Sequence, residues 1–331
     1  MKKGVVWLLL GTLLVTGLAL SLVIGTIPLS FKELLAVLTN QGTPAHQLVV
    51  LDFRLPRTLV SILAGAGLAV SGYLFQGITH NDLADPGILG INAGAGLTVL
   101  LYLGFFTSQT SSHILPLIAC LGSFLAAFLV YFCGKQKEKF DPNRLLLAGI
   151  AVNAGISALT LIGTVRISQD SYRFVTSWLA GTIWGTTWNH VLMIFPGLLI
   201  LLPLILFQGK SLEVISLGDE EAIALGVPLK KKQLFYLISA VILAAISVSV
   251  AGSISFIGLI APHLAKNIVN RKNNHALFMS VFIGSLLLLY SDILGRVILT
   301  NGEMAAGIIV SIIGAPYFIF RLLKKNQVNI N

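Results

Sequence analysis

"HVLMIFPGLLILLPLILF", His190 to Phe207, decides the fold class, because eighteen residues pass without one Asp, Glu, Lys or Arg. At 1.5 Å per residue that is about 27 Å of helix, close to the ~30 Å hydrocarbon core of a bilayer. Runs of this kind recur along the chain. Of its 331 residues 56% are hydrophobic and only 11% charged, and the mean hydropathy is +0.89. Ordinary soluble domains carry about 25% charged residues. The 32 glycines point the same way, since small residues let helices approach closely in lipid. An all-α, polytopic integral membrane protein follows.

Working outward from that run, the punctuation predicts about ten spans: 5–27, 58–78, 88–106, 113–133, 144–165, 190–207, 234–253, 256–268, 276–295 and 304–323. The first follows Lys2 and Lys3, as a signal peptide would. Its apolar stretch is too long for a signal peptide and no small-x-small cleavage site follows, so it reads as a span. With the N-terminus cytoplasmic, sixteen of the 22 Lys and Arg lie inside, at the N-terminus, around Lys135 to Arg144 (with Lys137 and Lys139), at Lys210, at Lys230 to Lys232, at Lys266 to Lys272 (with Arg271), and from Arg321 to Lys325. Six lie outside: Lys32, Arg54, Arg57, Arg166, Arg173 and Arg296. This asymmetry predicts ten spans with both termini cytoplasmic. It also accounts for the net charge of +9 without a nucleic-acid partner.

The spans carry no acid or base at their centres, which argues against a proton relay. Sodium held by backbone carbonyls stays open. Cys120 and Cys133 fall in one apolar run and read as packing residues. His46, His80, His113, His190, His263 and His275 show no ligand spacing, so neither a metal site nor a cofactor site is predicted.

Immediately beyond the opening run lies "LGDEEAIALG", Leu217 to Gly226. Gly209-Lys210-Ser211 before it imitates the end of a phosphate-binding loop, but position 204 is leucine where the motif needs glycine, and no strand precedes it. The segment 210–232 reads as two short helices broken at Gly218 and closed near Gly226 and Pro228. Asp219 is the expected N-cap, with Glu220 and Glu221 in the first turn. Ala222, Ile223 and Leu225 give a small apolar face. Two readings stay open on the residues alone: a solvated loop, or an element that inserts into a partner.

"ISLGDEEAIALGV" resembles the cytoplasmic coupling segment of the FecCD permease family, the membrane subunits of ABC importers for iron–siderophore complexes, haem and cobalamin. Further likenesses run in order along the chain: "RLPRTLVSILAGAGLAVSG" at 54–72, "LADPGILGINAGAG" at 83–96, "LLLAGIAVNAG" at 145–155, "SWLAGTIWG" at 177–185, "VAGSISFIGLIAPHLAK" at 250–266, "SDILGR" at 291–296 and "GIIVSIIGAPYFIFRLL" at 307–323. The resemblance implies one transmembrane permease domain over 1–331, with its coupling segment at about 210–229 and no catalytic site. It implies a multi-pass subunit in the bacterial cytoplasmic membrane. Its partners would be a second permease chain, two ATP-binding cassette ATPases, an extracytoplasmic binding protein and a ferric siderophore as cargo.

Residue by residue, the resemblance makes Leu217, Gly218, Asp219, Glu220, Glu221, Ala222, Leu225 and Gly226 the ATPase-coupling element. It makes Arg54, Arg57 and Arg296 docking residues for acidic groups on the binding protein. The plainer alternative is local pairing, of Arg296 with Asp292 and of Arg54 with Asp52. The fifth and tenth spans would line the path, with Asn153, Gly149 and Gly307 as its candidates. Asn153 reads equally as interhelical glue, and Gly65, Gly67, Gly72, Gly90, Gly94 and Gly96 read as packing faces. Leu83 to Gly96 reads as a broken start to the third span. His80-Asn81-Asp82 stands where Arg-Asn-Pro is common, Ser253 where proline is frequent, Lys266 where arginine is, and Met304 where proline usually follows Glu303. Rival classes are a haem or cobalamin importer of the same family, an ion-coupled carrier working without an ATPase, and a membrane scaffold.

Overall fold

The computed structural model describes residues 3–106, 114–135, 141–269, 273–299 and 302–328, and helices are the only regular structure among them. Lys2, Lys137, Lys139, Arg271 and Lys272 of the orientation pattern, and His113, lie outside the described residues. Helix α1 spans Lys3–Val23, followed by α2 at Phe31–Leu38 and α3 at Pro44–Gln47. A π-helical turn, Leu48–Arg54, leads into α4 at Leu55–Thr79. A 3₁₀ turn at Pro86–Leu89 precedes α5 at Ile91–Phe105. Then come α6 at Ile114–Gly134, α7 at Pro142–Thr164, α8 at Gln169–Leu179 and α9 at Trp188–Phe207. Two short helices, α10 at Gly209–Leu217 and α11 at Asp219–Ala224, lead to α12 at Leu229–Ala251. Helices α13 at Ile257–Ile268, α14 at Asn273–Ile298 and α15 at Ala306–Val328 complete the chain.

Among the described residues seven helices are long and apolar enough to cross a membrane: Gly4–Val23, Pro44–Thr79, Ile114–Gly134, Pro142–Thr164, Trp188–Phe207, Leu229–Ala251 and Asn274–Ile298. Ile91–Phe105 and Ala306–Arg321 are shorter apolar helices. The chain is therefore a multi-pass membrane protein. The eighth span, short already in its expected bounds of 256–268, is α13 with 12 residues, about 18 Å, too short to cross alone. Three short helices escaped the hydropathy reading because they are too short or too polar. One of them had a local signature, Ser30-x-x-Glu33, which forms a capping box at the start of α2.

Helix α4 is the hub, with most of its length buried against α9, α12, α13 and α14. Its glycines explain how so many helices reach it. A Cβ at Gly65 would overlap the Gly284 carbonyl of α14, one at Gly67 the Ser247 hydroxyl of α12, and one at Gly72 the Gly258 carbonyl of α13. In lipid no hydrophobic force separates buried from exposed leucine, so such close van der Waals approach is what holds helices together. Gly94 of α5 meets Gly122 of α6 in the same way. Replacing Gly72 by valine is expected to cost 3 kcal/mol or more, beyond the ~1–3 kcal/mol typical of overpacking, because backbone meets backbone there. Gly72→Val should remove the monodisperse species in size exclusion, whereas Gly11→Ala, where a Cβ meets nothing within 4 Å, should leave it intact. Equal behaviour of the two variants would contradict the packing account.

The chain breaks between α12 and α13, and the break is held by protein, as lipid requires of unpaired backbone. Gly252 takes φ 74° and Phe256 φ 69°. Ser253 N–H donates to the Trp178 carbonyl at 3.2 Å, a bond that proline at this position would lack. Gly307 N–H donates to the Gly181 carbonyl at 2.9 Å, so the end of α8, this break and the start of α15 meet at one point. Other departures also pair up. Asp82 accepts from Lys266 Nζ at 2.7 Å, and the ammonium lies 5.4 Å from the Tyr73 ring centroid.

Candidate functional site

Within the segment 210–232 two short helices, α10 and α11, meet at a break at Gly218, as the sequence indicates. The cap differs: Gly218, at φ 150° and ψ 155°, is the N-cap, and Asp219 is the first residue of α11. A side chain at 218 would overlap the Glu221 carboxylate, which folds back over it. Asp219, Glu220 and Glu221 thus occupy the first turn, where the helix dipole favours negative charge. The C-terminus closes through Gly226, at φ 78°. Gly226 N–H donates to Ile223 and Val227 N–H to Ala222, both at 2.9 Å, the paired bonds of a Schellman cap.

This element is anchored below and bare above. Ala222, Leu212 and Ile215 are buried, whereas Leu217, Ile223 and Leu225 are each more than 60% exposed. Those three apolar side chains and the exposed Glu220 and Glu221 beside them form a small amphipathic surface. The anchors lead to two long helices. Gln233 Nε2 of α12 donates to Asp219 at 3.1 Å, and Tyr236 hydroxyl donates to the Gln208 carbonyl at 2.7 Å. At the end of α4, His80 Nε2 meets the Ile215 carbonyl at 2.6 Å and lies 3.8 Å from Asp219 Oδ1. His80 takes φ 51° as the C-cap of α4. Any displacement of α10 and α11 is therefore felt by α4 and α12.

Arg54, Arg57 and Arg296 come together, and their guanidiniums turn inward. Arg54 donates to the carbonyls of Leu22, Val23 and Ile27 rather than to Asp52. Arg296 donates to those of Ser21 and Ile24 and to Asp292. Two cations thus cap the carbonyls left unpaired at the end of α1, the negative end of its dipole. Arg57 grips Asp292 through Nε at 3.0 Å and Nη2 at 2.7 Å, and reaches Glu303 at 2.7 Å through Nη1. Asp292 is 2% exposed and serves two arginines. Sequence spacing suggests its pairing with Arg296, but nothing in the sequence reveals Arg57 or Glu303 as partners, 235 residues away in the first case.

The three path candidates occupy tight contacts. Asn153 Nδ2 donates to the Ile88 carbonyl at 3.0 Å and to Gly87 at 3.4 Å, satisfying carbonyls of the 3₁₀ turn. Gly149 sits against the Ile88 carbonyl and Gly307 against that of Ala180. The broken start of the third span is as expected: Gly90 takes φ 81°, and Asn81 accepts from Leu83 N–H at 3.0 Å. Asp85 caps the turn by accepting from Gly87 N–H at 2.7 Å. The residue keeps some surface, but its carboxylate lies against Gly258.

Asp85→Asn keeps the cap acceptor without the charge. Its melting midpoint is expected to stay close to that of the unsubstituted chain at pH 7.5, because the Gly87 N–H keeps its acceptor. Asp85→Leu should melt lower at every pH. A lower midpoint for Asp85→Asn at pH 7.5 would contradict this reading.

Among the described residues no cluster of three or more His, Cys, Asp or Glu could hold a metal. His263 instead joins helices: Arg321 Nη2 lies 2.8 Å from its Nε2, and its Nδ1 bonds the Tyr317 hydroxyl. Cys120 and Cys133 are free thiols.

Comparison with known proteins adds independent findings. The FecCD transport family model matches residues 13–324. The chain is 41% identical over 320 residues to the iron(3+)-hydroxamate import system permease protein FhuG of Bacillus subtilis (strain 168), covering 95% of each. It is 36% identical to the Fe(3+) dicitrate transport system permease protein FecD of Escherichia coli (strain K12), covering 95% of this chain and 96% of that one. Among solved structures, an inward-facing metal-chelate type ABC transporter superposes with a TM-score of 0.81 at 29% identity, covering 95% of this chain and 97% of that one. With the family model spanning nearly the whole chain, and the ordered motifs, the Gly218-broken helix pair and the small-residue hub all in place, this chain belongs to the FecCD transport family.

Proposed function

We propose that this chain is the membrane-spanning, non-catalytic permease subunit of a binding-protein-dependent ABC importer, and that it moves a ferric siderophore across the bacterial cytoplasmic membrane. The observation that carries the proposal is the α10–α11 element, which leaves Leu217, Ile223 and Leu225 exposed beside the exposed acids Glu220 and Glu221. A separate ATPase docks there, and its movement reaches α4 and α12 through His80, Gln233 and Tyr236. The cargo class rests on the iron chelates named for the relatives above. In this reading the whole chain is one permease domain of ten membrane-embedded segments, with α13 as a half-length return and both termini cytoplasmic.

Two further surfaces support the assembly. Helix α7 is buried over only 11% of its apolar window, and α15 exposes Ile312, Ile313 and Ile319. A second permease chain covers these faces, with the path between them near Asn153, Gly149 and Gly307. At the extracytoplasmic end, Arg54, Arg57 and Arg296 fix the ends of α1, α4 and α14 and leave a net positive cluster that orients the acidic lobes of a binding protein. Arg57, the most accessible of the three, makes the contact.

Affinity purification of the tagged chain from its native membrane tests the proposal. A second permease chain and two ATPase chains should co-purify, and Leu217→Ser with Leu225→Ser should release the ATPase while the permease pair persists. Transport in vesicles by the chain without any ATPase would instead favour an ion-coupled carrier.

A further inference from the structure

Helices α6 and α12 pack side by side and leave between them a groove of about 370 Å³. Phe124, Phe128 and Tyr131 form one wall, and Leu234, Ile238 and Val241 the other. Phe128, Ile238 and Leu234 are exposed, so the groove opens outward rather than into the core. On each helix the lining residues recur every three or four positions, which makes each wall a single stripe. One further turn along the α6 stripe comes Lys135, and one turn back along the α12 stripe come Lys230 and Lys231. All three lysines are exposed. The neighbouring Lys232 is not part of the mouth, since it donates to Gln208 Oε1 at 2.8 Å.

The dimensions fit one class of ligand. From Leu234 to Ile242 the groove follows α12 for roughly 12 Å, comparable to one leaflet of a ~30 Å hydrocarbon core. An apolar slot one leaflet deep, with cations gathered at a single end, is complementary to an acyl chain joined to an anionic headgroup. The orientation rule explains why lysines lie on this side of the membrane. It does not explain why both stripes that form the slot end in them.

We infer that this groove binds an anionic phospholipid, with an acyl chain between α6 and α12 and its phosphate held by Lys135, Lys230 and Lys231. The bound lipid braces α12 one turn from the coupling segment. The assignment to the cytoplasmic leaflet rests on the orientation proposed above; the binding itself does not depend on transport.

The test uses the purified permease complex, stripped of lipid in detergent and titrated with phosphatidylglycerol or phosphatidylcholine, with bound lipid counted by native mass spectrometry. One phosphatidylglycerol per permease chain should be retained, roughly a hundredfold more tightly than phosphatidylcholine, given the share each of the three near-surface lysines contributes. Lys135→Gln, Lys230→Gln and Lys231→Gln together should erase the preference with the complex intact, and Ile238→Trp, which fills the slot, should lose both lipids. Equal retention of the two lipids by the unsubstituted complex would overturn the inference. So would an unchanged preference in the triple variant, or a disulfide between two copies through Tyr131→Cys, which would put protein in the slot. Labelling of Lys230→Cys by an impermeant reagent outside intact cells would overturn the leaflet assignment. Absence of transport by the unsubstituted complex, with phosphatidylglycerol retained as expected, would count against the proposed function alone.

Discussion

Replacing Asp292 by alanine is expected to destabilise the chain by about 3–5 kcal/mol, the cost of leaving a buried charge without its partner. Asp292 is 2% exposed and receives both Arg57 and Arg296. Among the described residues its removal leaves Arg57 with Glu303 and Arg296 with carbonyls and the Ser21 hydroxyl. The ends of α1, α4 and α14 then lose their common tie. A thermal melt of the detergent-purified chain should show a markedly lower midpoint, with yield reduced. Asp292→Asn, which keeps one acceptor, should fall between the two. An unchanged midpoint in Asp292→Ala would mean that the network contributes nothing, and that the inward-turned arginines have another purpose.

Reversing Asp219, Glu220 and Glu221 to lysine is expected to reduce uptake roughly tenfold or more, the scale of lost interfacial charge pairs. The local cost should be small. Each charge at a helix start is worth only about 0.3–1 kcal/mol, Glu220 and Glu221 are exposed, and α11 has six residues. Asp219 also loses its bond from Gln233. The informative comparison is therefore uptake against melting midpoint in the same variant. Lost uptake, with a near-normal midpoint and a released or uncoupled ATPase, is the predicted pattern. Normal uptake would return this segment to a solvated loop.

Hydropathy made the long helices legible because a span must satisfy its backbone internally and therefore advertises its length. It also placed the break at Gly218 and the packing glycines of α4, since a missing side chain there has a single structural use. The α12–α13 break was visible at Gly252 and the shortness of the eighth run in its bounds, 256–268, but the packing that surrounds α13 was not. Nothing in an apolar run of 12 residues says that neighbouring helices, rather than lipid, will surround it. The arginine cluster was half legible. Arg296 and Asp292 are four apart on one helix, whereas Arg57 and Glu303 meet Asp292 only through the packing of α4 against α14. The same limit hid the pairing of Asp82 with Lys266, two departures from the family pattern that explain each other only in three dimensions.

The central claim is that this chain carries an iron chelate inward on power supplied by another subunit. It is tested most directly by uptake of labelled ferric siderophores, with cobalamin in parallel, in cells that lack the chain and in the same cells with it restored. The account predicts that uptake of one ferric siderophore disappears with the chain, returns with it, and fails again when ATP is depleted. Restoration of cobalamin uptake alone, or iron uptake that persists without ATP, would contradict it.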